Sequence, residues 1–237
     1  MKKLGIIGGM GPMATIYFMR KIIDMTDAAT DQEHIEIAVE HCPGIPDRTA
    51  YILDHTKENP LPSIIRAGNV LADAGAEKIA IPCVTAHFFH DECCRQIRIP
   101  VYNGVEETAG YLHRRGLDRV GVMATTGTVR TGLFKKALKE KGMEAVYPDE
   151  KMQGYVMDII YDDIKAGRKV DEGKFEAVAA ALKKQGAQVI VLGCTELSVA
   201  VDQYHPDAPC IDVLDVLSRC CVRDFARLKE EYEELIR

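Results

Sequence analysis

The chain of 237 residues contains no tryptophan, and its aromatic residues are nine tyrosines and six phenylalanines. Positive charge is not in excess, because 30 lysines and arginines are opposed by 36 aspartates and glutamates, which gives a net charge of -6. A protein that binds nucleic acid through its phosphates normally carries the opposite sign or a basic block. With 47% hydrophobic and 28% charged residues, the composition excludes disordered, collagen-like and coiled-coil chains.

Long apolar runs are also missing, and none approaches the roughly 18 residues that a membrane helix needs. Residues Met1–Leu4 lead directly into a strand-like run, without the pattern of a secretory signal peptide. We therefore expect a cytoplasmic protein that binds neither a membrane nor nucleic acid.

The eight cysteines form no Cys-x-x-Cys pair, and we expect reduced thiols in a chain without a secretory signal. His87, His90, Cys93 and Cys94 fit part of one helical face. A structural zinc site needs four ligands in a closed set, and no second cluster completes this one. The sequence therefore predicts no metal, and His87 is expected to be structural.

Short apolar runs alternate with amphipathic stretches of helical length. The predicted strands are 4–7, 35–39, 78–81, 120–123 and 189–192, and the predicted helices include 12–27, 61–74, 129–141 and 175–184. Such alternation is typical of α/β proteins with parallel sheets covered by helices.

The order of motifs in the first half of the chain is repeated in the second. A strand runs into a glycine-containing loop at 8–15 and again at 124–128, and each half has a later strand that ends in a cysteine. A threonine follows each cysteine closely, at Cys83–Thr85 and at Cys194–Thr195. Two elements that match in the same order predict two homologous α/β halves.

Cys83 and Cys194 lie where ligands bind in open parallel sheets, outside the carboxyl ends of the strands. The start of the next helix favours a thiolate there, and the nearby threonine is placed to cap that helix. If the halves pack face to face about a pseudo-twofold axis, the two thiols flank one cleft. Inversion of a stereocentre needs such a pair, one group to remove the α-proton and one to deliver a proton to the far face. The alternative interpretation is that both are packing residues at strand ends.

Six motifs along the chain can be compared with known families: Ile6–Pro12, Pro46–Thr49, Pro82–His87, Thr125–Val129, Ile159–Tyr161 with Ile164 and Lys165, and Leu192–Leu197. With these motifs the chain resembles the aspartate/glutamate racemase family, which contains cofactor-independent amino-acid racemases related to glutamate racemase. The match covers essentially the whole length, and the two cysteine motifs in order, with Pro-Asp-Arg before the first, are its most specific part.

The resemblance implies two similar flavodoxin-like (Rossmann-like) halves related by pseudo-twofold symmetry, with the active site in the cleft between them. The expected domains are 1–103 plus 211–237, and 104–210. The resemblance also implies a homodimer, a small amino-acid substrate, no pyridoxal phosphate or other cofactor, and Cys83 and Cys194 as the two catalytic bases.

Substrate contacts are predicted at both halves. Arg48 suits the substrate carboxylate, because a guanidinium binds a carboxylate through two hydrogen bonds, although a turn arginine is the alternative. Lys165 resembles the second cationic contact of the family, and by itself it fits a solvated lysine at a helix end. The remaining predicted contacts flank the two glycine-containing loops and the two cysteines: Met10, Gly11, Thr126, Thr128, Val84, Thr85, Thr195 and Glu196.

Two of these positions carry open questions. Family members usually have asparagine after the first cysteine, and Val84 donates no hydrogen bond, so the choice of substrate is in doubt. Glu196 is placed to bind the substrate ammonium, to raise the basicity of Cys194, or only to complement a helix dipole.

Three functional hypotheses remain from the residues. The first is a two-thiol racemase for aspartate, glutamate or a related amino acid. The second is a related isomerase or decarboxylase of a small dicarboxylate. The third is a non-catalytic protein that binds small acids or takes part in thiol redox chemistry. The redox alternative is disfavoured, because two thiols on opposite sides of a cleft are expected to lie too far apart to form a disulfide.

Overall fold

A computed structural model of the chain describes residues 2–236. These residues divide into two compact units, the first formed by the chain up to Gly104 together with Leu214–Leu235, and the second by Val105–Val213 together with Ile236. Each unit contains a parallel sheet flanked by helices, so the predicted fold class is confirmed. In the described part of the chain, no helix combines the length and the apolar character needed to cross a membrane.

The strands are β1 Lys3–Gly8, β2 Glu36–His41, β3 Lys78–Ala80, β4 Arg119–Ala124, β5 Glu144–Val146, β6 Val189–Gly193 and β7 Cys210–Asp212. The α-helices are α1 Pro12–Met25, α2 Arg48–Leu53, α3 Leu61–Asp73, α4 His90–Gln96, α5 Gly104–Arg114, α6 Thr126–Thr131, α7 Leu133–Glu140, α8 Glu150–Met157, α9 Glu172–Lys184, α10 Thr195–Tyr204 and α11 Val213–Phe225. Short 3₁₀ helices occupy Asp31–Glu33, Val84–Phe89 and Glu230–Glu233, and a π-helical segment occupies Asp158–Ile164.

The first unit contains a three-stranded sheet in the order β2-β1-β3, with every pair parallel. Five of the six residues of β1 are buried, because helices cover both faces of the sheet and a strand in that position needs an apolar run. Ile7, Ile64 and Ile79 belong to the core that packs the sheet against α3.

The second unit contains a four-stranded parallel sheet in the order β5-β4-β6-β7. The edge strands β5 and β7 were not predicted, because each has only three residues and shows no periodicity. The prediction of one helix over 129–141 is wrong, because Gly132 adopts a left-handed conformation with φ of 68° and separates α6 from α7. Glycine takes this conformation without the steric cost that a side chain would add.

The last long helix, α11, belongs to the first unit although it follows the second unit in the chain. Lys21 of α1 and Asp215 of α11 form an ion pair in which only 9% and 3% of the side chains are exposed. Asp224 accepts a hydrogen bond from Tyr102 Oη at 2.6 Å and pairs with Lys78 Nζ at 2.8 Å. Charged side chains therefore hold α11 against the first sheet and α1.

The turn after β1 packs closely on the turn after β2. Gly9 has φ of +90°, and a Cβ atom there would lie 2.5 Å from the backbone carbon of Cys42. The Gly9 N–H donates to Thr15 Oγ1 at 2.9 Å, and the Cys42 N–H donates to the Gly8 carbonyl at 3.0 Å. Only glycine fits this conformation and this approach together.

Gly9→Ala is therefore expected to lower the free energy of unfolding by about 3 kcal/mol or more, since it adds a clash to an unfavourable φ. Gly75→Ala is the matched control, because Gly75 also has positive φ (+83°) but a Cβ there would meet no atom within 4 Å. That control should cost about 1 kcal/mol. Urea unfolding of both variants measures the difference, and equal losses would show that the approach to Cys42 does not matter.

Candidate active site

Cys83 and Cys194 occupy equivalent positions in the two units, each between a parallel strand and a helix. Cys83 precedes the 3₁₀ helix Val84–Phe89 and Cys194 precedes α10, and each has the extended backbone of an N-cap residue. The predicted capping by threonine is wrong, because Thr85 and Thr195 already lie inside the helices. Both cysteines are nearly buried, with 8% and 7% of their surface exposed.

The thiol of Cys194 lies against a carboxylate. Its Sγ donates to Glu196 Oε2 at 2.9 Å, and the Thr195 hydroxyl donates to the same oxygen at 3.0 Å. Burial raises the pKa of Cys194 well above its usual value, and the charge of Glu196 raises it further. The Glu196 backbone N–H and the positive charge of Lys165 lower this pKa, but by less.

Cys194 is therefore a neutral thiol at pH 7, which corrects the expectation of a thiolate for this residue. The helix start does favour the thiolate, but loss of hydration outweighs it when the sulfur is buried. Of the interpretations of Glu196, the contact with Sγ fits a group that raises the basicity of Cys194. Glu196 also lies in the first turn of α10, where its charge complements the helix dipole.

Lys165 directly follows the π-helical segment, as its C-cap residue. Its ammonium lies 4.1 Å from the centroid of the Tyr161 ring, within the distance at which a cation is attracted to an aromatic ring. The positive charge of Lys165 acts on the thiol of Cys194 in the same unit, where it lowers the pKa of that thiol. A π-helical segment leaves no signal in the periodicity of the sequence, although such segments are frequent at functional sites.

The loop after β4 is held by threonine hydroxyls. Thr125 caps α6, since its Oγ1 accepts the Thr128 N–H at 3.2 Å and lies 3.1 Å from the Thr128 hydroxyl. Thr128 is buried, whereas Thr126 is partly exposed and its N–H lies 3.3 Å from Met157 Sδ. Gln153 Nε2 donates to the carbonyl of Ala124, the last residue of β4, at 2.9 Å. Sequence analysis missed Gln153 and Met157, because they reach the loop from α8.

In the first unit, Arg48 is the first residue of α2, which the Asp47 side chain caps by accepting the Ala50 N–H at 2.7 Å. Arg48 Nη1 donates to the carbonyls of Ile45 and Pro46, at 3.3 Å and 3.1 Å. The turn before α2 therefore fixes this guanidinium by its own backbone.

The other predicted contacts of the first unit lie at the ends of β1 and β3. Gly11 is the N-cap of α1, and Met10 beside it is buried. Val84 and Thr85 are buried in the first turn after Cys83. These residues share the carboxyl edge of the first sheet with Cys83, where ligands of parallel sheets bind.

His87 has a structural contact, as expected. Its Nε2 accepts the Gly104 N–H at 3.2 Å at the start of α5. Burial, with a smaller effect of His90, lowers the pKa of His87 to about 3, so the ring is neutral. The predicted helical face of His87, His90, Cys93 and Cys94 is wrong. His87 lies in the 3₁₀ helix, whereas the other three residues lie in α4. Residues 2–236 contain no group of three or more His, Cys, Asp or Glu side chains placed to hold a metal ion.

The chain is similar to known racemases over nearly its whole length. The family model described as Asp/Glu/Hydantoin racemase matches residues 7–221. The broad specificity amino-acid racemase RacX of Bacillus subtilis is 26% identical over 226 residues, which cover 94% of this chain and 97% of that protein.

Solved structures agree. An aspartate racemase from Picrophilus torridus superposes with a TM-score of 0.84 at 30% identity and covers 98% of both chains. The glutamate racemase of Francisella tularensis, solved in complex with D-glutamate, has a TM-score of 0.67 at 16% identity and covers 94% of this chain and 80% of that one. The second likeness supports the fold alone. The match over residues 7–221 confirms the predicted relationship: the chain belongs to the Asp/Glu/hydantoin racemase family, and thus to a family of isomerases.

Proposed function

We propose that the protein is a cofactor-independent amino-acid racemase in which Cys83 and Cys194 act as acid and base on one α-carbon. The observation that carries the proposal is the equivalent position of the two thiols. Each is a nearly buried N-cap residue that follows a parallel strand of its own unit. Stereo-inversion needs two such groups, and the family membership supports this chemistry.

The protonation of Cys194 sets the direction of the first proton transfer. Because Cys194 rests as a thiol, it is the acid of the first proton transfer, and the role of base falls to Cys83. Cys83 takes the α-proton, and the electron pair of the C–H bond remains on the substrate as a carbanion. Cys194 then gives its proton to the other face of that carbon, which leaves a thiolate beside Glu196. The opposite enantiomer reacts by the reverse sequence.

The substrate class we propose is aspartate, glutamate or a related amino acid. Arg48 binds the α-carboxylate, and Lys165 binds a second acidic group. The backbone around Met10 and Gly11, the threonines Thr126 and Thr128, and the residues beside the thiols (Val84, Thr85 and Thr195) complete the pocket. In a chain of net charge -6, a dianionic substrate needs such local positive charge.

Val84 bears on specificity. Its buried side chain offers no amide where the family usually has asparagine, so the remaining polar contacts must come from Thr85 and backbone groups. The name of RacX describes that protein as a racemase of broad specificity, which supports a test of more substrates than aspartate and glutamate. The family resemblance also supports a homodimer as the active form.

Cys83→Ser and Cys194→Ser are each expected to reduce racemisation by at least about 100-fold, because a hydroxyl is a far weaker base and acid at neutral pH than a thiol. The measurement is α-proton exchange by NMR in heavy water, with both enantiomers of a panel of amino acids that includes aspartate and glutamate. Cys94→Ser is the control, since Cys94 is exposed and lies outside the proposed site. Full turnover by either single variant would contradict the two-base mechanism.

Glu196→Gln is expected to move the basic limb of the pH–rate profile to lower pH. Glu196 raises the pKa of Cys194, so removal of the charge lowers that pKa. As an acid, Cys194 works only while protonated, and activity in that direction therefore ends at a lower pH. Glu172→Gln, which removes an exposed carboxylate from the same unit, should leave the limb in place. An unshifted limb in Glu196→Gln would exclude control of Cys194 by this carboxylate.

Arg48→Lys is expected to raise KM roughly 10- to 100-fold with a smaller change in kcat, because lysine cannot form the paired hydrogen bonds of the guanidinium. Arg20→Lys, on the exposed side of α1, is the matched control and should behave as wild type. Steady-state kinetics on the best substrate measures KM and kcat of both variants, and thermal unfolding verifies that each is folded. An unchanged KM would remove Arg48 from the substrate site.

A further inference from the structure

The first unit contains a pocket of ≈210 Å³ between the end of β2 and helix α3. Two of its lining side chains, Ile45 and Ala67, are apolar and belong to the buried core. Two others carry opposite charges, Glu40 from β2 and Arg66 from α3. Cys83 does not line this pocket. Its volume lies below the range of about 300–1,000 Å³ that drug-sized ligands occupy, so a suitable ligand is small.

The two charges face the same pocket without neutralising each other. Among the described residues, the polar contact of Glu40 is with the thiol of Cys42, whose Sγ donates to Oε1 at 3.6 Å. The polar contact of Arg66 is with Ser63, to whose Oγ its Nη2 donates at 3.1 Å. Neither contact is an ion pair, so both charged groups keep hydrogen-bonding capacity for a ligand.

Cys42 does not add a third charge. Burial raises the pKa of its thiol above the usual value, and Glu40 raises it further, although Arg66 opposes this. The thiol is therefore neutral at pH 7. The pocket presents one negative and one positive group, together with two small polar groups, Ser63 and Cys42.

We propose that this pocket binds a free α-amino acid through its zwitterionic head group, at a site distinct from the one that contains Cys83. The ammonium pairs with Glu40 and the carboxylate pairs with Arg66. A phosphate or a dicarboxylate without an amine would be repelled by Glu40, and a simple cation would be repelled by Arg66. Both ends of a zwitterion are attracted, and charged hydrogen bonds of this kind are the strong ones.

Glycine is the probe for this proposal, since it carries the head group alone and has no stereocentre that the enzyme can invert. The experiment titrates glycine into full-length ¹⁵N-labelled protein and follows backbone amide shifts by NMR. Saturable shifts are expected at Cys42, Gly44 and Ser63. Acetate and methylammonium, which each carry one of the two charges, should bind there at least about tenfold more weakly.

Variants that remove one charge at a time test the two charged groups. Glu40→Gln and Arg66→Gln should each weaken glycine binding at these amides at least about tenfold, because each loses one charged hydrogen bond. Glu77→Gln and Arg20→Gln remove a carboxylate and a guanidinium elsewhere in the first unit and should leave the affinity unchanged. Two-dimensional spectra of all four variants verify that each is folded.

Three results would overturn the proposal: no saturable shift at the pocket, equal affinity for acetate and glycine, or unchanged affinity in Glu40→Gln and Arg66→Gln. The outcome does not depend on racemisation. The titration is repeated in the Cys83→Ser, Cys194→Ser double variant, and shifts at Thr85 and Thr126 report separately on the proposed active site. Loss of the racemase mechanism would thus leave this result standing, and the reverse also holds.

Discussion

The site depends on one constraint of parallel sheets, which is that two parallel strands cannot be joined by a tight hairpin. The chain must leave each strand at its carboxyl end and cross over, usually through a helix that begins at that edge. In both units a cysteine lies at this junction of strand and helix: Cys194 immediately follows β6, and two residues separate Cys83 from the end of β3. The strand supplies the extended backbone and the helix supplies free N–H groups, so the thiol is fixed by the main chain rather than by a flexible loop.

The pKa of Cys194, at the junction of β6 and α10, results from competing effects of unequal size. The start of α10 and the charge of Lys165 favour a thiolate, whereas burial and the carboxylate of Glu196 favour the thiol. Burial is the largest effect, because a sulfur with little access to water loses the hydration that would stabilise its charge. Cys194 is therefore protonated, and its thiol donates a hydrogen bond to the Glu196 carboxylate.

Strands and helices could be predicted from the sequence where a local pattern of apolar residues marks them. The strands β1, β4 and β6 are five or six residues long and nearly all buried, so their apolar runs are visible. Prediction from the sequence failed for β5 and β7, where three residues carry no pattern. It also missed the break at Gly132, because the apolar residues on either side continue a helical spacing.

In the candidate site, too, some residues were predicted from local motifs, and others could not be, because their contacts depend on tertiary packing. Both cysteines and Lys165 were predicted from motifs, and the charge of Lys165 lowers the pKa of the Cys194 thiol within the second unit. The contacts of Gln153 and Met157 with the loop after β4 were not found, because α8 reaches that loop through tertiary packing. The protonation of Cys194 was also missed, since burial of its sulfur is a property of the folded unit and not of the local sequence.

The return of α11 to the first unit has a consequence for synthesis on the ribosome. Lys21 and Asp215 are 194 positions apart in the chain, and Val105–Val213 lie between the two parts of the first unit. During translation the second unit is therefore complete before the first, and Lys21 emerges long before its carboxylate partner exists. The nascent first sheet is therefore without α11, and without the buried ion pair that this helix completes, for as long as the second unit is being synthesised.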